Sequence, residues 1–338
     1  MTVRVGINGF GRIGRSFLRS ALDTGADLEV VGVNDLTSPA ILANLLRYDS
    51  TQGRLPAPVD VEGSDLLVGE QRIRVMAERE PEQLPWATLG ADLVLESTGI
   101  FTSRTAAAGH LGDTVKRVII SAPSSDADAS FVIGVNDQEY DPEKHIVVSN
   151  ASCTTNCFVP MVKVVDDAFE IASGLMTTVH AYTNDQNLLD LQHKDPRRSR
   201  AAAVNIVPTS TGAARTTGLV LEAMKGRLDG VSLRVPLPVG SITDFTAVVK
   251  GNPSVEEVNA AFAEAAVKPP LDRVLVYTED PIVSSDIVGS PASCTFDAGL
   301  TMVMPVSAEL SLVKTNGWYD NEWGYANRLV DLTMLVGG

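Results

Sequence analysis

Residues 2–22 read TVRVGINGFGRIGRSFLRSAL, and three physical signals follow one another in that stretch. Val3, Val5 and Ile7 alternate with other residues as in a strand. Gly9, Gly11 and Gly14 then form G-x-G-x-x-G, after which Ile13, Phe17, Leu18 and Leu22 fall on one helical face. A glycine motif alone is a weak sign, but between a strand and a helix it marks a phosphate-binding turn. The first two glycines permit a tight turn with close backbone approach, and the third lets the helix pack on the strand. The helix N-terminus offers free N–H groups to a pyrophosphate. Asp35 ends the next strand-like run, LEVVGVND, where a carboxylate can accept hydrogen bonds from both hydroxyls of an adenosine ribose. A 2′-phosphate would meet like charge there, so NAD is the expected cofactor in preference to NADP.

Further strand-like runs occur at QRIRVM, ADLVLESTG, VKRVIISAP and HIVVSN, with helical or turn segments between them. Strands alternating with helices predict an α/β fold: a doubly wound, mainly parallel sheet over residues 1–151. The pattern then changes. After the helical stretch TTNCFVPMVKVVDDAF come longer strand candidates, GLMTTVHAYT, GVSLRVPLP, ITDFTAVVK and RVLVYTE, which read as a mixed or antiparallel sheet in an α+β domain over residues 152–319. The charged stretch beginning at Asn184 and ending at Arg215 is too long for a simple connection, and long loops in compact domains are usually functional. A final helical pattern within 320–338 is expected to return to the first domain.

The chain has 338 residues, enough for two cores, with 44% hydrophobic and 20% charged residues. Its formal net charge of -15 repels phosphate backbones and anionic lipid, which argues against nucleic acid or a membrane surface as partner. An anionic small substrate would need a locally positive pocket. No secretory leader pattern and no membrane-length apolar run is apparent, and three cysteines make no disulfide framework, so a cytoplasmic location is expected.

Two of those cysteines, Cys153 and Cys157, lie in SNASCTTNCF. Without a second pair or a histidine cluster nearby, a structural zinc site is not indicated, and no metal is expected. An isolated cysteine is usually a small buried hydrophobe. Cys153, however, starts the helix after the last strand of the parallel set, where backbone N–H groups and the helix dipole favour a thiolate. His180, at the end of MTTVH, is one of four histidines and a candidate general base beside it. Cysteine, base and nicotinamide together suit oxidation of an aldehyde: thiolate addition, hydride departure, and a thioester open to attack.

INGFGRIGR, VND, YDST, ESTGIF, RVIISAPS, SNASCTTNC, TTVHAYT, STGAA and WYDNEWGYANR follow the order and spacing of one family. Over essentially its whole length the chain resembles glyceraldehyde-3-phosphate dehydrogenase of the phosphorylating, glycolytic type. The resemblance implies a Rossmann dinucleotide-binding domain and a catalytic domain, with Cys153 as nucleophile and His180 as its activator. It implies Thr183 and Arg234 at the substrate's own phosphate, and Ser152, Thr154, Thr211 and Gly212 at the attacking inorganic phosphate. For NAD it implies Gly9, Gly11, Arg12, Ile13 and Gly14 at the pyrophosphate, Asp35 at the ribose, Arg79 and Ser121 as further contacts, Asn321 at the nicotinamide amide and Tyr325 near its ring. It also implies a homotetramer in which an S-shaped loop, residues 181–204, lies between subunits and lines the neighbouring cofactor site.

The chain departs from the family at a few positions. Gln192 stands where NAD-preferring relatives commonly have proline, which bears on how strict the cofactor preference is. Phe158, Val159, Thr216 and Thr217 replace more usual residues near the nucleophile without touching the catalytic set. Neutral drift accounts for such changes, and an isozyme tolerant of a thiol-directed inhibitor is the sharper reading. Oxidation of erythrose 4-phosphate by the same fold, and a dinucleotide-sensing protein without chemistry, are the alternatives to glyceraldehyde 3-phosphate oxidation.

Overall fold

The computed structural model describes residues 2–338, which divide into two compact units. The first holds the chain up to Phe131 together with Asp137–Ser152 and Ala326–Gly338. Its strands are β1 (Val3–Asn8), β2 (Leu28–Asn34), a small hairpin of β3 (Tyr48–Asp49) and β4 (Gly53–Arg54), then β5 (Val59–Glu62), β6 (Asp65–Val68), β7 (Gln71–Met76), β8 (Leu93–Glu96), β9 (Arg117–Ile120), β10 (Ala129–Ser130) and β11 (Val147–Ser149). Nine of them form one sheet in the order β10-β11-β9-β8-β1-β2-β7-β6-β5. Every pairing from β10 to β7 is parallel, and only the β5-β6-β7 end is antiparallel.

Helices α1 (Arg12–Thr24), α2 (Pro39–Arg47), α3 (Trp86–Leu89) and α4 (Arg104–Ala107) belong to this unit. Covering a parallel sheet on both faces buries the central strands completely, which is why β1 and β2 are rich in valine and isoleucine. Val5, Ile7, Val30 and Val33 are all buried. The chain order reverses around β1, with β2 on one side and β8 on the other. A crevice at the strand C-termini is expected at such a switch point.

The second unit comprises Val132–Asn136 and Cys153–Tyr325. It opens with α5 (Cys153–Phe169) and continues through β12 (Ile171–Ala181), β13 (Val207–Ser210), α6 (Ala213–Val220), β14 (Leu228–Val235), β15 (Ser241–Lys250), α7 (Val255–Ala265), β16 (Leu275–Thr278), β17 (Cys294–Asp297), β18 (Met302–Pro305) and β19 (Leu310–Tyr319). Their sheet runs β13-β14-β12-β15-β19-β17-β16, with β18 also paired to β19. It is mixed: β12 is parallel to β14 but antiparallel to β15. Helix α8 (Trp323–Gly337) closes the chain.

Three expectations shift. The domain boundary placed after residue 151 falls after Ser152, and the returning segment begins at Ala326 rather than 320. Hydrogen bonds explain the second change, because Asn321 accepts from Gly240 and Ser241 while Asp320 accepts from Gly289, all within the second unit. Val132 joins that unit by packing with Val159 and Val220. The long connection from Asn184 to Arg215 is not all loop, since β13 and the start of α6 occupy its end. Strand β19, ten residues paired to β15, lay outside the strand candidates. Its buried alternate positions are Ser311, Val313, Thr315, Gly317 and Tyr319, so apolar alternation does not reveal it.

Candidate active site

Two sets of site residues are assembled, one in each unit. In the first, a crevice of ≈ 330 Å³ opens at the C-terminal ends of β1, β2 and β8, and Gly9, Gly11, Asp35 and Arg79 line it. Gly9 has φ 92, and a Cβ there would lie 2.6 Å from the backbone nitrogen of Thr98. A Cβ on Gly14 would lie 2.3 Å from the Gly9 carbonyl oxygen, so this glycine lets α1 sit against the turn. A Cβ on Gly11 would meet nothing within 4 Å. The turn therefore offers open space above backbone N–H groups, a cradle that fits a pyrophosphate.

Asp35 is half-buried at the edge of this crevice, its carboxylate accepting from the N–H groups of Phe10 at 3.1 Å and Thr37 at 3.1 Å. Those bonds aim a fixed acceptor where ribose hydroxyls would lie. The Arg12 side chain is committed elsewhere: it pairs with Asp49 at 3.0 Å and donates to Thr51 Oγ1 at 2.8 Å. That leaves the backbone of Arg12, like that of Ile13 in the same first turn, as the part that could face a phosphate. Ser121 follows β9, its N–H held by the Glu96 carbonyl, and it is not among the residues lining the crevice.

In the second unit, Cys153 is the first residue of α5. The chain reaches it through Ala151 at φ 53, a left-handed conformation costing a non-glycine residue about 1 kcal/mol. The Ala151 N–H is held by Ser149 Oγ at 2.9 Å. Cys153 Sγ lies 3.4 Å from His180 Nε2. Burial pushes the Cys153 thiol up, opposed by the positive charge of Arg234 and by hydrogen bonds from Thr154. The helix start alone, invoked from sequence, does not outweigh that burial.

Burial, with the charge of Arg234 adding to it, also lowers the His180 pKa to about 3, which keeps the ring neutral and able to take a proton. Its Nδ1 faces the Ala181 carbonyl at 2.6 Å and Arg234 Nη1 at 2.6 Å. The Ala181 carbonyl calls for a hydrogen on Nδ1 and Arg234, a donor only, calls for a lone pair there; in the tautomer that donates to Ala181, Nε2 is the acceptor that a thiol donor needs.

Arg234 is brought there by register, because β12 and β14 run parallel with His180 opposite Arg234. Its Nε is buried without a hydrogen-bond partner. A guanidinium nitrogen left so is a natural seat for an anion. Thr183 lies three residues beyond His180 and donates to Asp185, whose carboxylate also pairs with Arg198 at 2.6 Å. Asp185 is itself held below the usual carboxylate range: its burial is outweighed by the Thr183 hydrogen bond and by the charges of Arg234 and Arg198. Thr211 caps the next turn by accepting from the Ala213 N–H at 3.2 Å, and Gly212 precedes α6. Thr154 differs from the sequence reading, since its hydroxyl is already bonded to Tyr319 Oη at 2.9 Å.

Several residues of this site were not singled out from the sequence, although Tyr319 lies within the WYDNEWGYANR stretch. Tyr319 bridges Thr154 and Thr178 and sets its ring edge-on to His180, with centroids 5.9 Å apart. Ser241 accepts from the Ala181 N–H at 3.1 Å and donates to Asn321 Oδ1 at 3.1 Å, so one hydroxyl joins the strand end bearing His180 to the Asn321 amide. Asp185 and Arg198 were visible only as part of a charged loop. Tyr325 is buried near the start of α8. A second cavity of ≈ 520 Å³, around Ser173, Arg215, Arg227 and Thr246, involves none of the site residues.

Among the described residues no cluster of histidine, cysteine or acidic side chains could hold a metal ion. Likewise, no helix is long and apolar enough to cross a membrane. Residues 3–104 match the NAD binding domain model of glyceraldehyde 3-phosphate dehydrogenase, and residues 152–321 match the model of its C-terminal domain. The chain belongs to the glyceraldehyde 3-phosphate dehydrogenase family. Over its full length it is 58% identical to glyceraldehyde-3-phosphate dehydrogenase 2 of Streptomyces avermitilis and 57% identical to the enzyme of Streptomyces coelicolor, covering 99% of each. It is 58% identical to the glyceraldehyde-3-phosphate dehydrogenase of Mycobacterium avium, again covering 99%. As a family member it is an oxidoreductase that uses NAD, with the crevice above β1 in its NAD-binding domain.

Proposed function

We infer that this chain catalyses the reversible phosphorylating oxidation of D-glyceraldehyde 3-phosphate to 1,3-bisphosphoglycerate, through a thioester on Cys153. The observation that carries the reading is the 3.4 Å approach of Cys153 Sγ to His180 Nε2, with Arg234 against the same imidazole. His180 takes the thiol proton as sulfur adds to the aldehyde carbon and returns it to the carbonyl oxygen, so the C–S bond forms as the C=O π bond opens, leaving a hemithioacetal and a neutral imidazole. Bound NAD supplies the hydride acceptor. The hemithioacetal hydroxyl gives its proton to His180 as the carbon is oxidised to the thioester. Inorganic phosphate then attacks the acyl carbon, the C–S bond breaks, and Cys153 leaves.

Arg234 and Thr183 are the proposed seat of the substrate phosphate, and the unpartnered Nε of Arg234 supports it. Ser152, Thr211, Gly212 and the backbone of Thr154 are proposed for the incoming phosphate. Backbone N–H groups from Gly11 to Gly14, at the turn that Gly9 shapes, would hold the pyrophosphate, Asp35 the ribose, Arg79 and Ser121 the remainder of the dinucleotide. Asn321 would orient the carboxamide, with Tyr325 packed nearby. Gln192, exposed in the loop after β12, is the position to examine for a softened NAD preference. A homotetramer fits Leu188, Leu189 and Leu191, which are 79%, 75% and 63% exposed, because a neighbouring copy would cover that apolar surface.

The test is NADH formation from glyceraldehyde 3-phosphate with and without phosphate, beside erythrose 4-phosphate. Turnover that ignores phosphate, or that favours erythrose 4-phosphate, overturns the reading.

A further inference from the structure

Glu96 and His110 are buried ionisable groups of the NAD-binding unit that take no part in the chemistry above. Glu96 ends β8 and is 2% exposed, and His110 is 3% exposed. The Glu96 carboxylate receives four contacts. Oε1 accepts from the backbone N–H of Thr98 at 2.8 Å and from its hydroxyl at 2.5 Å. Oε2 faces Asn8 Nδ2 at 2.6 Å and His110 Nε2 at 3.0 Å. A carboxylate has about four acceptor sites, so every one is used.

Trp86 decides the role of the histidine. Its Nε1 lies 3.2 Å from His110 Nδ1, and an indole N–H can only donate. Nδ1 therefore accepts, and the ring hydrogen on Nε2 is donated to Glu96. Asn8 Nδ2 and His110 Nε2, 3.3 Å apart, converge on the same oxygen.

On the other side the chain of bonds leads into the crevice. Asn8 is the register partner of Glu96 in β8 and of Asn34 in β2. Asn34 Nδ2 donates to Asn8 Oδ1 at 2.7 Å and to the Glu78 carbonyl at 2.8 Å, while Asn34 Oδ1 accepts from the Glu78 N–H at 2.8 Å. Asn8, Asn34, Glu78 and Thr98 all line the crevice, whereas Glu96 and His110 do not. The polar floor is thus held from beneath, and Asn34 clamps the backbone just before Arg79.

We propose that His110, acting through Glu96, is a positioning residue for the adenosine half of NAD. It orients the Asn8 amide, which orients Asn34, which in turn fixes the loop carrying Arg79; the same carboxylate fixes Thr98. Without the His110 donor, one acceptor site of a buried carboxylate is left unmet, and Asn8 is free to turn toward it.

The experiment uses the full-length protein with His110→Phe, His110→Gln and Glu96→Gln, the glutamine at 110 being able to restore a donor near Nε2. Binding of NAD and of ADP-ribose is measured by calorimetry, kcat at saturating NAD by NADH absorbance, and alkylation of Cys153 by iodoacetamide as a cofactor-independent readout. Expected for His110→Phe is about tenfold weaker binding of both nucleotides, with kcat within about twofold and the alkylation rate unchanged. His110→Gln should recover most of the affinity, and Glu96→Gln should lose at least as much as His110→Phe. If His110→Phe does not fold, the Glu96→Gln and His110→Gln pair still decides. Wild-type nucleotide affinity in Glu96→Gln overturns the proposal. So does a loss of affinity that is matched by equal losses in kcat and alkylation rate, because the network would then be general scaffolding. In the wild-type protein, absence of NADH formation with intact ADP-ribose binding would count against the thioester reading of the other unit and leave this proposal to be decided by the nucleotide affinities of the variants.

Discussion

Arg234 Nη1 and His180 Nδ1 lie 2.6 Å apart, as register partners on parallel strands. The cation proposed to hold the substrate phosphate is therefore also the charge that opposes protonation of the base. A dianion bound at Arg234 offsets that charge, so phosphate or sulfate should move the His180 titration upward from about 3. Imidazole resonances followed against pH with and without sulfate would show it; an unmoved titration would separate the two residues. Arg234→Ala should weaken glyceraldehyde 3-phosphate by about a hundredfold while leaving unphosphorylated glyceraldehyde within a few-fold. Equal losses on both substrates would make the arginine structural.

Cys153 and Cys157 share one helix but not one environment. Cys157 is fully buried beside Cys294, and burial, with that neighbouring thiol adding to it, raises its pKa well above the usual thiol range. Cys153 is partly exposed and within reach of His180. Cys153→Ser should lower kcat by roughly three orders of magnitude or more, whereas Cys157→Ser should keep most activity. Mass spectrometry after brief iodoacetamide treatment should place the label on Cys153 alone. Equal kinetic losses from the two substitutions would refute the assignment.

The ion pair of Arg12 with Asp49 gives the phosphate turn a pH limit. Burial raises the Asp49 pKa, but hydrogen bonds from Arg12, Gln52 and Thr51 overcome it and hold the carboxyl well below the usual range. A carboxyl depressed on folding contributes stability above its unfolded pKa, near 4, and loses it as pH falls through the folded value. Asp49→Asn should therefore cost on the order of 1–2 kcal/mol at pH 7, and the gap from wild type should close as urea melts are taken below pH 4. A gap independent of pH would show that charge is not its source.

Phe158, Val159, Thr216 and Thr217 are all buried. The Phe158 ring packs edge-on to Phe245 at 4.9 Å, Val159 contacts Val132 and Val220, and Thr217 Oγ1 donates to the Ala213 carbonyl at 3.0 Å. Any influence on an electrophile at Cys153 would travel through packing of α5 and α6. Combining Phe158→Leu, Val159→Ala, Thr216→Ala and Thr217→Ile is expected to shift stability by a few kcal/mol or less. If an epoxide inactivates this variant and the wild type at the same rate, the inhibitor-tolerance reading falls.

Local order made much of this legible. Glycines in a strand-turn-helix context, an aspartate closing the second strand, and a cysteine opening a helix are short-range patterns that need no knowledge of distant residues. Strand β19 was hidden because serine, threonine and glycine fill its buried positions, and their fit depends on the neighbouring strands. The thiolate argument was incomplete for a similar reason: a helix start is local, but desolvation depends on everything packed around the sulfur.

The sequence by itself determined the α/β plan and the cofactor turn and singled out Cys153 as the candidate nucleophile, because each rests on short-range order along the chain. Only the tertiary structure decided that Arg234 faces His180, that Tyr319 and Ser241 brace the site, and that Trp86 and His110 lie beneath the cofactor floor. Those relations join residues 24 to 165 positions apart, and strand pairing and side-chain packing, rather than local propensity, select them.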